Sequence, residues 1–216
     1  MRIHEGQPML EAGASLADAS IAMIVLHGRG ASGEDAIDLG RLFTRTTKNV
    51  ALLAPQAAGG TWYPQRFFAS LDENEPYLTS AIGVVAEIIE ELPARGFERE
   101  QVMLVGFSQG ACLALEFAAR HPHRYAGIVG LSGAVIGPPG TKREAEGSLK
   151  KTPIFLGCSD RDPHVPLPSV RESAVLLREL GGDVTERIYP GMPHIVSEDE
   201  IAVVTGLVER VAKPAS

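Results

Sequence analysis

The chain has 216 residues, 44% hydrophobic and 22% charged, which fits one globular domain over residues 1–216 and excludes disorder over most of it. A formal charge of −7, with no Lys/Arg run longer than Lys150-Lys151, argues against a nucleic-acid binder, which needs a basic face. The longest wholly apolar run, Ile21–Leu26, is far too short for an integral membrane segment, and Arg2, Glu5 and Glu11 leave no apolar stretch for a secretory signal. The expected location is therefore cytoplasmic, and the two cysteines, Cys112 and Cys158, fit a reducing compartment or serve simply as small apolar side chains.

Residues 1–20 are weakly patterned and leave room for one antiparallel edge strand. Short continuous apolar runs then follow at Ile21–Leu26 (IAMIVL), 50–54 (VALLA), 102–106 (VMLVG), 128–131 (IVGL) and 154–157 (IFLG). Runs of this length suit strands buried on both faces, as in a parallel sheet. A later, more polar run, 184–189 (VTERIY), reads as a strand near the sheet edge.

Amphipathic segments lie between the runs. Residues 34–44 carry Ile37, Leu39, Leu42 and Phe43 at helical spacing. Residues 74–92 read as a helix with Asn74 as N-cap, Pro76 in its first turn and Pro93 at its end. Residues 111–120 (ACLALEFAAR) are helical in composition, and His121 and His123 fit its C-terminal end. Ser169 with Glu172, and Ser197 with Glu200, form capping-box patterns before two further helices, the first stopped by Gly181. Strands alternating with helices predict an α/β fold with a mostly parallel central sheet and helices on both faces. Residues 137–151 (GPPGTKREAEGSLKK) read as a surface loop, with a lid over the site as the alternative.

Gly106-Phe107-Ser108-Gln109-Gly110 is a G-x-S-x-G motif placed between an apolar run and a helix. That strand–turn–helix setting is the context of a nucleophile elbow, with Ser108 as nucleophile. Serine needs a base to take its proton. His194 follows the VTERIY run and the turn Pro190-Gly191-Met192-Pro193, where a loop reaches over the elbow; His164 is the second candidate. The orienting acid is expected after IFLG, where Asp160 and Asp162 both qualify by spacing.

An oxyanion hole needs two backbone N–H groups. Gln109, the residue after the nucleophile, supplies one, and Arg29 or Gly30 in the glycine-rich loop after IAMIVL supplies the other. Trp62 and Tyr63, with Phe67 and Phe68, concentrate aromatic residues in the loop after VALLA. Trp62 and Tyr63 are expected to wall the substrate pocket, while Phe67 and Phe68 fit a wall or a core plug equally. No His/Cys/Asp cluster has zinc spacing, so neither metal nor cofactor is expected.

The segments LHGRGASGED (26–35), GFSQGA (106–111), LGCSDRDPHVP (156–166) and YPGMPH (189–194) resemble the phospholipase/carboxylesterase family of α/β-hydrolases, related to the acyl-protein thioesterases. The resemblance runs from about residue 20 onward. It implies the α/β-hydrolase fold, Asp162 as the acid, His194 as the base, and the amides of Arg29 and Gln109 as the oxyanion hole. It also implies a small-molecule ester as the partner, cleaved through an acyl-enzyme. The thioesterase branch usually carries an apolar residue at the Arg29 position, so short or medium acyl chains are expected here. Lysophospholipase or acyl-protein thioesterase activity, or a non-catalytic binding protein on the same fold, are the alternatives, and a homodimer is left open.

Overall fold

The five apolar runs, the polar run and the N-terminal edge strand all enter one sheet. The computed structural model describes residues 3–143 and 146–212. Its strands are β1 (Met9–Gly13), β2 (Ile21–Leu26), β3 (Val50–Pro55), β4 (Val102–Phe107), β5 (Gly127–Leu131), β6 (Pro153–Ser159) and β7 (Asp183–Tyr189). Their order is β1-β3-β2-β4-β5-β6-β7, with β1 antiparallel to β3 and all other pairs parallel.

The strand period divides the apolar residues between two cores. Ala22, Ile24 and Leu26 of β2 face one side with Leu53 and Leu104; Ile21, Met23 and Val25 face the other with Leu52 and Val105. Helices α3 (Tyr77–Glu91), α4 (Gln109–Arg120) and α5 (Leu167–Glu179) cover the first side through Leu78, Leu113 and Val170. Helices α1 (Gly33–Phe43) and α6 (Glu198–Val211) cover the second through Ile37 and Val204. The two edge strands, β1 and β7, show alternating exposure, while the strands between them are almost wholly buried.

The Ser197–Glu200 capping box forms as expected, with both reciprocal contacts at the start of α6. Two other expectations are corrected. Asn74 does not cap the long helix; it ends a separate turn, α2 (Leu71–Asn74), and α3 starts beyond the Glu75–Pro76 bond. Its buried carboxamide instead accepts from the Gln65 N–H at 2.8 Å and donates to the Arg66 carbonyl at 3.2 Å. Ser169 lies inside α5, which begins at Leu167 after Pro166, because Pro168 fits the first helical turn.

Of the 137–151 segment, residues 144 and 145 lie outside the described residues. Its first part is a loop clasped to α4. Glu116, fully buried, accepts from Arg143 at 2.8 Å, from Arg120 at 2.7 Å and from the Ile136 N–H at 2.8 Å. Because six strands run parallel, the loops that follow them gather along one edge of the sheet, where open α/β sheets bind ligands.

Candidate active site

At the end of β4 the chain turns sharply into α4, and Ser108 occupies the turn with φ 54° and ψ −118°. A non-glycine residue at positive φ is strained, and here the strain lifts the hydroxyl above the sheet edge. Its N–H donates to the Leu131 carbonyl at 2.9 Å, fixing the turn to β5. The flanking glycines are required by contact. A Cβ on Gly106 would strike the Gly110 backbone, and one on Gly110 would strike the Leu26 carbonyl.

The loops after β6 and β7 bring in the other two groups. His194 Nε2 lies 2.9 Å from Ser108 Oγ, and His194 Nδ1 lies 2.6 Å from Asp162 Oδ2. The other Asp162 oxygen accepts the N–H groups of His164, at 2.8 Å, and Val165, at 2.9 Å. Burial pushes the Asp162 carboxyl up, but the hydrogen bonds from His194 and these two amides outweigh it and hold the group below the usual carboxylate range. An ionised Asp162 keeps the ring proton on Nδ1 and leaves the Nε2 lone pair for the serine hydroxyl.

Asp160, the alternative acid, accepts the Gly191 N–H at 2.7 Å and so braces the turn before His194. His164, the alternative base, rests edge-on against the His194 ring with centroids 4.8 Å apart, and Phe107 packs on the same ring at 4.9 Å.

The two amides expected to face an oxyanion are both unspent. Gly30 N–H donates to the Gly60 carbonyl at 2.7 Å, which leaves Arg29 of the two loop candidates. Among the described residues neither the Arg29 nor the Gln109 N–H has an acceptor.

A cavity of about 500 Å³ opens beside Ser108 and His194. Tyr63, Phe67, Cys112 and Val165, all buried, form its apolar side, and Arg29 and Arg66 stand on its exposed side. Burial pushes the Cys112 thiol up to about 11, so it lines the cavity as an apolar group. Tyr63 thus takes the expected place, and Phe67 is wall rather than plug.

Trp62 does not wall the cavity. It is fully buried behind it, its indole N–H donating to the His27 carbonyl at 2.9 Å and its ring lying between His27, 5.0 Å away, and His4, 5.5 Å away. An indole is large and has one donor: burial suits its apolar area, and an interior carbonyl satisfies its N–H.

Its supports come from distant positions, and His4 stands in no sequence motif. His4 bonds to the Trp62 carbonyl at 3.0 Å and accepts the Ala58 N–H at 3.1 Å. His27 accepts the Ala57 N–H at 3.0 Å. The Gln109 carboxamide accepts from Trp62 N–H at 2.9 Å and donates to the Tyr63 carbonyl at 2.8 Å. The one available signal was polar residues placed against apolar runs, as His27 is at the end of IAMIVL.

Among the described residues no group of three or more His, Cys, Asp or Glu could hold a metal ion, and no helix is long and apolar enough to cross a membrane.

Comparisons with known proteins agree with this architecture. Residues 11–211 match the family model for phospholipase/carboxylesterase. Acyl-protein thioesterase 1 of Saccharomyces cerevisiae is 28% identical, over 93% of this chain and 97% of the relative. The crystal structure of a phospholipase/carboxylesterase from Dyadobacter fermentans superposes with a TM-score of 0.89 at 37% identity, covering 93% of this chain and 95% of that one. SOBER1 of Arabidopsis thaliana gives 0.74 at 27% identity, over 89% and 99%. With the elbow, the sheet order and the family match in agreement, the chain belongs to the phospholipase/carboxylesterase family and is a carboxylic ester hydrolase on an α/β-hydrolase fold.

Proposed function

We propose that the enzyme is a serine esterase acting on carboxylic esters of short or medium acyl chain, with Ser108, His194 and Asp162 as its catalytic triad. Ser108 Oγ attacks the ester carbonyl as His194 Nε2 takes its proton. The amides of Arg29 and Gln109 hold the oxyanion. His194 then protonates the leaving alcohol, and water, activated by the same imidazole, releases the acyl group. Asp162 orients His194 and stabilises the imidazolium. The observation that carries this reading is the unbroken chain of hydrogen bonds Ser108–His194–Asp162, at 2.9 and 2.6 Å.

The acyl-length reading is supported by the cavity's apolar end, where Phe67 separates it from a second cavity of about 170 Å³ lined by Val135, Pro138 and Leu176. Each methylene buried adds about 0.8 kcal/mol, about fourfold in kcat/KM, until the space ends. That all described strands join one sheet supports residues 1–216 as a single domain. The two unpaired cysteines support a cytoplasmic setting. A second reading changes only the bond cleaved. It is favoured by the likeness to the yeast acyl-protein thioesterase and replaces the ester by a thioester.

The test is kcat/KM across p-nitrophenyl esters of graded length, beside a thioester series. Ser108→Ala is expected to fold normally, to lose about 10⁴-fold or more in rate, and to escape fluorophosphonate labelling. Phe67→Ala is expected to move the optimum to longer chains. Retained turnover in folded Ser108→Ala, or a wild-type optimum at palmitoyl length, overturns the corresponding part.

A further inference from the structure

The exposed side of the cavity carries a charge pattern that a neutral ester does not use. Arg29 reaches it from the loop after β2, and Arg66 from the loop after β3. Among the described residues none that lines the cavity is acidic. The nearby Asp162 carboxyl is fully buried and committed to His194 and two backbone amides.

The two guanidinium groups are held but not neutralised. Arg29 donates to the Pro64 carbonyl at 2.9 Å and the Gln65 carbonyl at 2.6 Å, with its carbon 5.9 Å from the centre of the Tyr63 ring. Arg66 lies 5.6 Å above the Phe68 ring. Carbonyls and ring faces orient a cation without cancelling its charge. Among the described residues neither arginine has a carboxylate partner; Arg45, Arg99, Arg124, Arg161, Arg178 and Arg210 share that, but of these eight only Arg29 and Arg66 line the cavity.

The contrast with the whole chain sharpens the point. There are 27 acidic against 20 basic residues, so two uncompensated guanidinium groups at one cavity mouth run against the protein's overall sign. A cleft lined by one sign of charge concentrates ligands of the other. Two of the five N–H groups of Arg29 are used, and the remainder suit a planar oxyanion.

We propose that the preferred substrates are esters bearing a second, free carboxylate, which Arg29 and Arg66 hold at the mouth while the apolar part lies against Tyr63, Phe67 and Val165. This rests on the serine esterase reading and narrows its substrate class. The carboxylate can stand on either side of the scissile bond, as in a half-ester of a dicarboxylic acid or an ester of a hydroxy acid.

Two matched pairs of esters distinguish these. Mono-p-nitrophenyl glutarate against p-nitrophenyl valerate places the anion on the acyl side. The 4-acetoxybenzoate ion against 4-acetoxybenzamide places it on the alcohol side. The readout is the anionic-to-neutral ratio of kcat/KM, corrected by the same ratio for hydroxide. In at least one pair the wild-type ratio is expected to exceed one and to fall about threefold in Arg66→Gln, with Arg66→Lys between them. In the same pair 0.5 M NaCl is expected to lower the wild-type ratio and leave the Arg66→Gln ratio nearly unchanged. The pair that responds names the side that faces the mouth. Ratios insensitive to both the substitution and salt, in both pairs, overturn the proposal. Turnover of neutral esters that disappears in Ser108→Ala keeps the serine esterase reading standing in that event; absence of such turnover in wild type sinks that reading instead.

Discussion

Ser108, Asp162 and His194 each stand in a short motif and touch one another directly, at 2.6 and 2.9 Å. The opposite wall of the cleft, residues 56–68, is held differently. Its backbone is pinned by His4, 58 positions from Trp62, by His27, 30 positions from Ala57, and by Gln109, 47 positions from Trp62. Both regions are buried polar networks, but one assembles groups that react and the other groups that only hold. A reacting group must be presented by a particular turn, and a turn is encoded by its neighbours. A holding group needs only a donor or acceptor at the right distance, and many residue types supply that.

Replacing the triad acid gives the largest expected effect. Asp162→Asn is expected to lower kcat by about 10⁴-fold, because the imidazole loses the acceptor that fixes its tautomer. Asp160→Asn, which disturbs only the brace on Gly191, is expected to stay within about tenfold, in line with the loss of a single hydrogen bond. Steady-state kinetics on one ester decide the order. A reversed order would place the reacting carboxylate two positions away from where geometry assigns it.

Next comes the holding wall. Trp62→Ala is expected to cost about 3–5 kcal/mol of stability, read from the urea midpoint, since a fully buried indole leaves a large void. Trp62→Phe keeps most of the packing but strands the His27 carbonyl, and is expected to cost about 1–3 kcal/mol. An alanine variant with the wild-type midpoint and an altered acyl-length profile would make Trp62 a substrate contact and erase the distinction between the walls.

The smallest effect concerns acid. Burial lowers the pKa of His4 and His27 below the ordinary 6.5, and the Ala58 and Ala57 N–H groups need their unprotonated nitrogens as acceptors. The unfolded chain therefore binds more protons than the folded one just below pH 6.5, so stability falls as pH drops through that value toward the folded pKa values. Half-buried His121 adds to this with the same sign. Trp62 is the chain's one tryptophan, so its emission reports on the holding wall alone. It is expected to shift red on acidification below about pH 6.5, and less so in His4→Gln. Emission that stays constant from pH 7.5 to 5 would show a wall indifferent to its histidines.

Most of the sheet was legible because both-face burial writes itself as continuous apolar runs, and β2 through β6 follow those runs to within two residues. The elbow was legible because Gly106 and Gly110 are dictated by backbone contact, and their spacing survives in the sequence. Spacing alone left Asp160 and Asp162 unresolved, since both lie in one turn and only the fold shows which carboxylate meets the imidazole. Trp62 was misread for a related reason. Aromatic residues serve equally as pocket wall and as core, and the choice was made by His4 and His27, which lie far from it in sequence. Asn74 and Ser169 have the composition of helix caps, but tertiary partners and a neighbouring proline redirected them.

The clasp of Glu116 and Arg143 has a consequence for how this chain can drift under mutation. The carboxylate is fully buried and its partner's side chain is 8% exposed. Losing Glu116 alone would leave a nearly buried guanidinium without its counter-charge, at a cost of about 3–5 kcal/mol. That is a large share of the 5–15 kcal/mol that holds an ordinary domain together. Because Arg120 and the Ile136 N–H also depend on this carboxylate, Glu116 cannot be replaced without compensating changes around it. Exposed Lys142 carries no such constraint, so this stretch of loop is locked at one site and open to substitution beside it.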